Sequence, residues 1–245
     1  MRKSHITASD QGMWQSTIKQ KVSFSGVGIH TGRVASVSLK PADPNAGIVF
    51  YKKCGQGKIS QIPALWKNVV NTHLSTTLGN SDNHQIRTVE HLMAAFYGEG
   101  VDNALVEVDA PEIPIMDGSA VDFVDAIRSV GVEEQSEPRK FIKVLKKVEV
   151  KDGEKFISIE PLNQDLIIDF EIIFNNPLIR TRRKEFKLSK GDLTSIYNSR
   201  TFCLYEDIDQ IRSMGLAKGG SLDNAIVVKE NKILNDDRLR HRQEF

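Results

Sequence analysis

The first 110 positions contain short runs in which apolar and polar residues alternate or β-prone residues cluster. Alternation with a period of two is typical of strands that bury one face. Turn-forming residues such as Gly, Pro and Asn separate these runs, which favours short strands joined by tight connections. The predicted strands are Ile18–Phe24, Val34–Leu39, Ile48–Tyr51, His73–Leu78 and Asp102–Val108.

Two further segments have apolar residues at helical spacing. In the first, Thr88 is placed to cap a helix that ends near Gly98, with Leu92, Ala95 and Phe96 on its apolar face. In the second, Ser119 and Asp122 resemble a capping box, and Gly131 closes the helix. We therefore predict two helices that each cover one face of a sheet.

The second half of the chain repeats this mixture of strands and short helices. Asp152-Gly153 is a strong hairpin signal between two predicted strands, and the basic run Thr181–Lys187 is expected to be a solvated face. The polar segment Asn231–Phe245 is predicted to have no partner element. The remaining predictions are strands Phe141–Val150, Phe156–Ile159, Leu166–Phe174 and Asn224–Val228, and helices Leu193–Tyr197 and Asp207–Met214.

A weak internal repeat suggests how these elements are divided. Gly100–Val106 resembles Ser221–Val227, 121 positions further along. In the first copy a helix begins at Ser119, whereas the equivalent step in the second copy reaches Arg240, close to Phe245. We predict an α+β protein of two similar sheet-plus-helix domains, the second without its closing helix. The predicted boundaries are a flexible tail 1–17, a first domain 18–136 and a second domain 137–245, with the charged segment Glu133–Arg139 as a linker.

Composition narrows the class of protein. The 245 residues are 40% hydrophobic and 27% charged, which is ordinary for a globular chain, and the net charge of +1 gives no reason to expect nucleic acid as a partner. Cys54 and Cys203 lie far apart, which suits a reducing compartment and offers no disulfide framework. No apolar run approaches the ~18 residues of a membrane span, and residues 1–17 lack an apolar signal core. We expect a cytoplasmic protein without a transmembrane segment.

Two stretches contain residues suited to chemistry. Glu90 and His91 are adjacent in the first turn of a predicted helix, where a histidine can bind a divalent metal and a carboxylate can move the proton of a bound water. A solvated helix cap is the alternative. The loop Gly26–Gly32 follows a strand and contains three glycines and His30, which fits either a hairpin or a backbone that approaches a ligand.

Several motifs in the same order resemble one family. They are Gly26-Val27-Gly28-Ile29-His30-Thr31-Gly32, Thr88-Val89-Glu90-His91-Leu92, Asp102-Asn103, Pro111-Glu112-Ile113-Pro114-Ile115-Met116-Asp117-Gly118-Ser119, Ser199-Arg200-Thr201-Phe202 and Gly219-Gly220-Ser221. From Ile18 to Phe245 the chain is similar to UDP-3-O-acyl-N-acetylglucosamine deacetylases, the zinc amidases of bacterial lipid A synthesis. The resemblance implies two α+β domains with the active site between them.

The resemblance also implies residue roles. His91 would be a zinc (Zn2+) ligand, Glu90 the general base, and Thr201 a group that holds the tetrahedral oxyanion. Phe202 would line the sugar site. The remaining implied positions are Leu74 and Ser75 near the metal cleft, and Ile208, Gly220, Ser221 and Val227 along the acyl passage. The implied substrate is UDP-3-O-acyl-N-acetylglucosamine, and the protein is expected to be a monomer.

One departure from the family pattern stands out. The family continues beyond the pair matched by Glu244-Phe245 into a helix with two more zinc ligands, and a later histidine acts as general acid. One ligand cannot hold a catalytic zinc, which normally needs three, so we expect the chain as given to be inactive. The alternative is a non-catalytic remnant that binds a UDP-sugar or a partner without metal. His30 is expected to be a ligand or a polar loop contact, and His73 and His84 surface residues.

Overall fold

The computed structural model describes residues 13–53, 59–163, 166–188 and 193–245. The prediction about Cys54 and the first twelve residues of the predicted tail lie outside the described residues. The chain mixes short strands with few helices, so the predicted α+β class is confirmed. No helix in the described part is long and apolar enough to cross a membrane.

The elements are numbered along the chain. The helices are α1 (Glu90–Gly98), α2 (Val121–Val130), α3 (Thr194–Tyr197) and α4 (Ile208–Ser213), and short 3-10 turns cover Trp66–Asn68 and Tyr205–Asp207. The strands are β1 (Trp14–Ile18), β2 (Val22–Val27), β3 (Val34–Pro41), β4 (Ile48–Lys53), β5 (Ile59–Pro63), β6 (Val69–Asn71), β7 (Thr77–Gly79), β8 (Gln85–Ile86), β9 (Ala104–Val108), β10 (Val132–Pro138), β11 (Val148–Asp152), β12 (Lys155–Ile159), β13 (Ile167–Ile173), β14 (Thr181–Lys187), β15 (Phe202–Leu204), β16 (Ile226–Lys229) and β17 (Lys232–Ile233).

A five-stranded sheet with the order β2-β3-β9-β4-β5 forms the centre of what we call the first region, residues 14–138. Among the described strands of this sheet, only β4 and β9 pair in parallel. The alternating residues of β3 and β9 bury one face, as their pattern predicts. The helices α1 and α2 bury their apolar residues in the core that includes this face, which contains Phe50, Phe96 and Phe123.

Strands β1 and β10 pair with each other, from Trp14 opposite Pro138 to Ile18 opposite Val132. Residues 14–17 were predicted as part of a flexible tail and 133–139 as a linker, so both predictions miss this pairing. The two segments contain many polar residues and Pro138, so they lack the apolar alternation by which the strands were predicted. Their backbones pair nevertheless, because hydrogen bonding between two edge segments does not require that pattern.

The second region, residues 139–245, is built from small sheets. The predicted hairpin across Asp152-Gly153 is confirmed by the pairing of β11 with β12, although the first strand begins at Val148 rather than at Phe141. Strands β13 and β14 form another hairpin, and β15-β16-β17 form a mixed sheet. The prediction that 231–245 has no partner element is wrong, since β17 pairs with β16 and both Asn235 and Glu244 are buried.

Candidate functional site

Glu90 is the first residue of α1. The prediction that Thr88 caps this helix is wrong. Val89 is the residue that precedes the helix, and no side-chain hydrogen bond caps the N-terminus of α1. The Glu90 carboxylate instead accepts a hydrogen bond from the Thr76 backbone N–H (2.9 Å). Burial raises the pKa of Glu90, and the charge of Glu112 acts in the same direction, whereas backbone hydrogen bonds oppose them. The carboxylate is therefore fixed in place and more basic than an exposed glutamate.

His91 follows in the same helical turn. Burial lowers the pKa of its ring, and the charge of Asp117 and a hydrogen bond that the ring donates to the Ser119 backbone only partly oppose this shift. The imidazole is thus neutral near pH 7, which is the form that binds metals. A hydrogen bond at one ring nitrogen orients the ring and leaves the other nitrogen available as a ligand.

Asp117 connects His91 to the end of the chain. One of its oxygens accepts hydrogen bonds from the Ser119 backbone N–H (2.9 Å) and hydroxyl (2.8 Å), and the other pairs with the Arg240 guanidinium at 2.8 Å. Burial alone would raise the pKa of Asp117, but these hydrogen bonds outweigh it and hold the pKa below its usual value. Asp117 therefore stays ionised beside His91. Ser119 was predicted in a capping box, whereas its hydroxyl donates to Asp117 and accepts from the Val121 backbone N–H.

The loop Gly28–Gly32 packs against Ala217–Gly220 of the second region. The Gly219 N–H donates to the Ile29 carbonyl (3.0 Å), and a Cβ at Gly219 would lie 2.4 Å from the Gly28 oxygen, so only glycine fits. His30 donates from Nε2 to the Leu74 carbonyl (3.2 Å) and accepts the Ala217 N–H at Nδ1 (3.4 Å). His30 is thus a buried loop contact between the two regions, one of its two expected roles.

Thr201 lies where the two regions meet. Its backbone N–H donates to the Gly118 carbonyl (2.8 Å), and its carbonyl accepts from Ile226 in β16 (2.9 Å). A Cβ at Gly118 would lie 2.2 Å from the Asn224 oxygen, and Gly118 has a φ of +88°. Because Ser119 follows Gly118, this close packing brings Thr201 near the backbone that orients His91.

Arg200 and Glu244 form a buried ion pair that the sequence pattern did not reveal. Arg200 Nε lies 2.7 Å from the Glu244 carboxylate, and the side chains are 2% and 0% exposed. Arg200 also pairs with Asp237 (2.6 Å) and donates to the Arg238 carbonyl (2.6 Å). A cavity of about 320 Å³ lies beside this network. It is lined by Arg200, Leu222, Asp223, Asp236, Asp237 and Arg240. The one indication of this network in the sequence was that Arg200 lies within Ser199-Arg200-Thr201-Phe202, one of the motifs that resemble the family.

The other predicted residues occupy several places. Ser75 is buried next to Thr76, and its hydroxyl is one of two buried side-chain polar atoms without a hydrogen-bond partner among the described residues. Leu74 is 50% exposed with a φ of +57°. Phe202 packs edge-to-face on Phe174 and Phe245. Gly220 faces Ile29, Val227 is buried in β16, Ser221 is exposed, and Ile208 opens α4.

The described residues do not by themselves complete a metal site. Within the described ranges, no group of three or more His, Cys, Asp or Glu side chains is arranged to hold a metal ion. A catalytic zinc usually has three protein ligands, so His91 can supply one of them but not the set. His73 is exposed, whereas His84 is half-buried and its Nδ1 has no hydrogen-bond partner in the described ranges, so the expected surface position holds for His73 only.

Comparison with known proteins adds an independent observation. The family model described as UDP-3-O-acyl N-acetylglycosamine deacetylase matches residues 15–245. A protein of Teredinibacter turnerae named UDP-3-O-acyl-N-acetylglucosamine deacetylase is 46% identical over 234 residues, which are 94% of this chain and 76% of that protein. Proteins with the same name from Shewanella violacea and Nautilia profundicola are 43% and 44% identical, covering 95% of this chain in each case and 76% and 78% of their own lengths.

Proposed function

The chain belongs to the UDP-3-O-acyl-N-acetylglucosamine deacetylase family, and from this premise we propose how its own residues serve the reaction. The activity is hydrolysis of the N-acetyl amide of a UDP-linked, 3-O-acylated glucosamine, a step of lipid A biosynthesis. The observation that carries the residue assignment is the pair at the start of α1, where burial shifts the pKa values of Glu90 and His91 in opposite directions. Both side chains are thereby tuned away from their solvent behaviour, as is typical of active sites.

Glu90 is the general base of this proposal. A base must reach a pKa closer to the working pH while keeping its orientation, and the raised pKa of Glu90 and its hydrogen bond from Thr76 meet these two needs. In the reaction it would take the proton of the attacking water. Ser75, whose buried hydroxyl has no partner among the described residues, directly precedes Thr76, the hydrogen-bond donor to Glu90, and is proposed to bind a polar atom of the substrate.

His91 is proposed as one ligand of the family's metal, which we infer to be zinc. Its neutral ring and its hydrogen bond to Ser119 suit this role. The family is metal-dependent, but the described residues supply one ligand rather than three. The roles proposed for Glu90 and Thr201 are therefore those of the side chains themselves, and His91 would contribute one ligand when the metal is bound.

The hydroxyl of Thr201 is proposed to donate a hydrogen bond to the oxyanion that forms when water adds to the amide carbonyl. Its backbone is held on both sides, by Gly118 and by Ile226, so the hydroxyl can be preorganised at little cost during the reaction. Phe202 is proposed to contact the sugar, with Leu74 at the cleft. Ile208, Gly220, Ser221 and Val227 are proposed to line the acyl passage.

Glu90→Gln tests the central assignment. In a parent that releases acetate from the UDP-sugar, we expect the substitution to lower the rate about 10²–10⁴-fold, because the amide cannot accept the proton. Glu134→Gln, on the exposed strand β10, is the matched control and should keep the parental rate. A Glu90→Gln variant as active as that parent would exclude Glu90 as the base, and acetate release that stays at the parental rate after zinc has been removed would exclude the metal assignment.

The alternative of a binding-only remnant is not favoured, because the relatives are named for the reaction and Glu90, His91 and Thr201 are all present. We further propose that the protein is a monomer of the cytoplasm. Cys203 forms no disulfide within the residues that the structure describes, which supports a reducing compartment. Sedimentation of the purified chain and fractionation of cells that express it would test these two points.

A further inference from the structure

Glu112 is a fully buried carboxylate that the assignments above do not use. No lysine or arginine of the described residues forms an ion pair with it. Its two oxygens instead accept four hydrogen bonds, two at each oxygen. Oε1 accepts from the His30 backbone N–H (2.9 Å) and the Thr88 hydroxyl (2.8 Å), and Oε2 from the Thr31 backbone N–H and hydroxyl (both 2.7 Å). A buried charge is tolerated only when such donors replace its hydration.

The surrounding backbone is shaped to admit this carboxylate. A Cβ at Gly28 would lie 2.4 Å from Glu112 Oε2, so a side chain there would expel the oxygen. Residues 111–113 also run beside Arg87: the Arg87 N–H donates to Pro111 (3.0 Å), and the Ile113 N–H donates to Arg87 (3.0 Å). Glu112 is therefore held between the Gly28–Gly32 loop and the segment that leads into α1.

Thr88 is the strained point of that segment. Its φ is +59°, a conformation that β-branched residues rarely adopt and that costs roughly 1–3 kcal/mol. Thr88 stands two residues before Glu90, so its backbone turn sets the direction in which α1 begins. The hydrogen bond from its hydroxyl to Glu112 Oε1 is the side-chain contact that holds this turn.

We propose that Glu112 is a positioning residue for the reaction: through Thr88 it fixes the turn from which Glu90 and His91 project, and through His30 and Thr31 it fixes the loop that meets the second region. The inference rests on the proposed function of Glu90 and His91 only for its catalytic consequence. One carboxylate thus couples the start of α1 to the contact between the two regions.

The test uses Thr88→Val, which keeps the shape of the side chain but removes the hydroxyl, and Thr88→Ser, which keeps the hydroxyl. In Thr88→Val we expect backbone amide exchange at Val89 and Met93 to rise about tenfold, since a hydrogen bond to a charged group is lost. We also expect kcat to fall at least about tenfold, while KM changes less than about threefold. Thr88→Ser should restore the parental amide exchange and the parental kcat.

Glu112→Gln extends the test to the loop. An amide cannot accept four hydrogen bonds, so exchange should rise both at His30 and Thr31 and at Val89 and Met93. Asp109→Asn is the control, because Asp109 is a nearby carboxylate whose one hydrogen bond from the described part of the chain comes from the exposed Ser36 N–H. It should leave exchange at all four amides unchanged.

The outcomes separate the two claims. Unchanged exchange at Val89 and Met93 in Thr88→Val, or a Glu112→Gln change confined to the loop, would overturn the positioning role. If Glu112→Gln does not fold, the Thr88 pair decides the question alone. If the amides respond as expected but Glu90→Gln releases acetate as fast as an active parent, the positioning role stands and the proposed function of the Glu90–His91 pair fails.

Discussion

The two regions of the molecule are stabilised in different ways. In the first region the sheet and both helices share one apolar core, with Phe50, Phe96 and Phe123 fully buried. In the described part of the second region, the fully enclosed apolar cluster contains only Ile179, Ile226 and Val228. Its strands expose many apolar side chains, including Val150, Phe156, Ile157, Phe170 and Ile173.

In the second region, hydrogen bonds and ion pairs of buried polar side chains hold the backbone in place. Asn235 accepts from the Val227 N–H and donates to two carbonyls, and Arg200 is paired with Glu244. These groups lie close to the residues proposed for the site, whereas the exposed apolar strands lie elsewhere in the sequence. The proposed site is thus held by an apolar framework on one side and by buried polar side chains, which we call polar anchors, on the other. The following substitutions test that contrast.

The largest effect is expected from Phe123→Ala. It removes a fully buried ring that packs edge-to-face on Phe24, and we expect the free energy of unfolding to fall by about 3–5 kcal/mol. Phe156→Ala in the second region is the matched control; its ring is 69% exposed, so chemical denaturation should detect a change of less than about 0.5 kcal/mol. Equal losses would show that the two regions do not differ in this respect.

Arg200→Ala should follow closely in size. It leaves the Glu244 carboxylate buried without its partner, which typically costs about 3 kcal/mol or more. The loss should appear as faster amide exchange at Ile226 and Val227, whose strand is next to Arg200. Arg183→Ala removes an exposed ion pair with Asp169 and should leave the unfolding midpoint nearly unchanged. A silent Arg200→Ala would contradict the role given to polar anchors.

Gly219→Ala addresses the junction itself. The added methyl group would lie 2.4 Å from the Gly28 oxygen, so the Ala217–Gly220 segment must move away from the loop. We expect a loss of roughly 1–3 kcal/mol in stability and faster exchange at Ala217 and Gly219. Gly153→Ala meets no atom within 4 Å and should cost only about 1 kcal/mol for its φ of +59°. Unchanged exchange at the junction would argue against a tight contact there.

The smallest effect concerns pH and His30. Burial lowers the pKa of His30 and the charges of Arg87 and His73 act in the same direction, against Glu112 and the hydrogen bond to Leu74. The unfolded chain binds this proton near pH 6.5, the folded chain only at lower pH, so stability should decrease as pH falls below about 6.5. The slope from this one group cannot exceed about 1.4 kcal/mol per pH unit. His30→Gln should flatten the pH dependence of the unfolding midpoint; an unchanged profile would assign it to other groups such as His91.

The sequence predicted elements well where an apolar pattern forms them. The apolar face of α1, the end of α2 at Gly131 and the Asp152-Gly153 hairpin are confirmed, because each depends on local periodicity or turn chemistry. The β1–β10 pair and the burial of Glu244 depend on backbone pairing and on a partner 44 residues away, and no local pattern encodes either. The predicted boundary between residues 136 and 137 stays a prediction.

The candidate site shows the same division. Adjacency alone placed Glu90 beside His91, and the resemblance added Thr201. Neither could indicate that Thr88 would turn toward Glu112 instead of capping α1, because that choice depends on where residues 111–113 pass in space. The roles of Leu74, Ser75, Phe202, Ile208, Gly220, Ser221 and Val227 remain predictions, although the structure places Ser75 next to the hydrogen-bond donor of Glu90.

The pairing of β1 with β10 has a consequence for how such a chain can arise. It brings the two ends of the first region side by side, with Trp14 opposite Pro138. When the two ends of a folded unit are neighbours, the unit can be duplicated in tandem or inserted into another protein with only a short connection. No strand then has to pass through an existing sheet. The similarity of Gly100–Val106 to Ser221–Val227 is the kind of trace that such copying would leave.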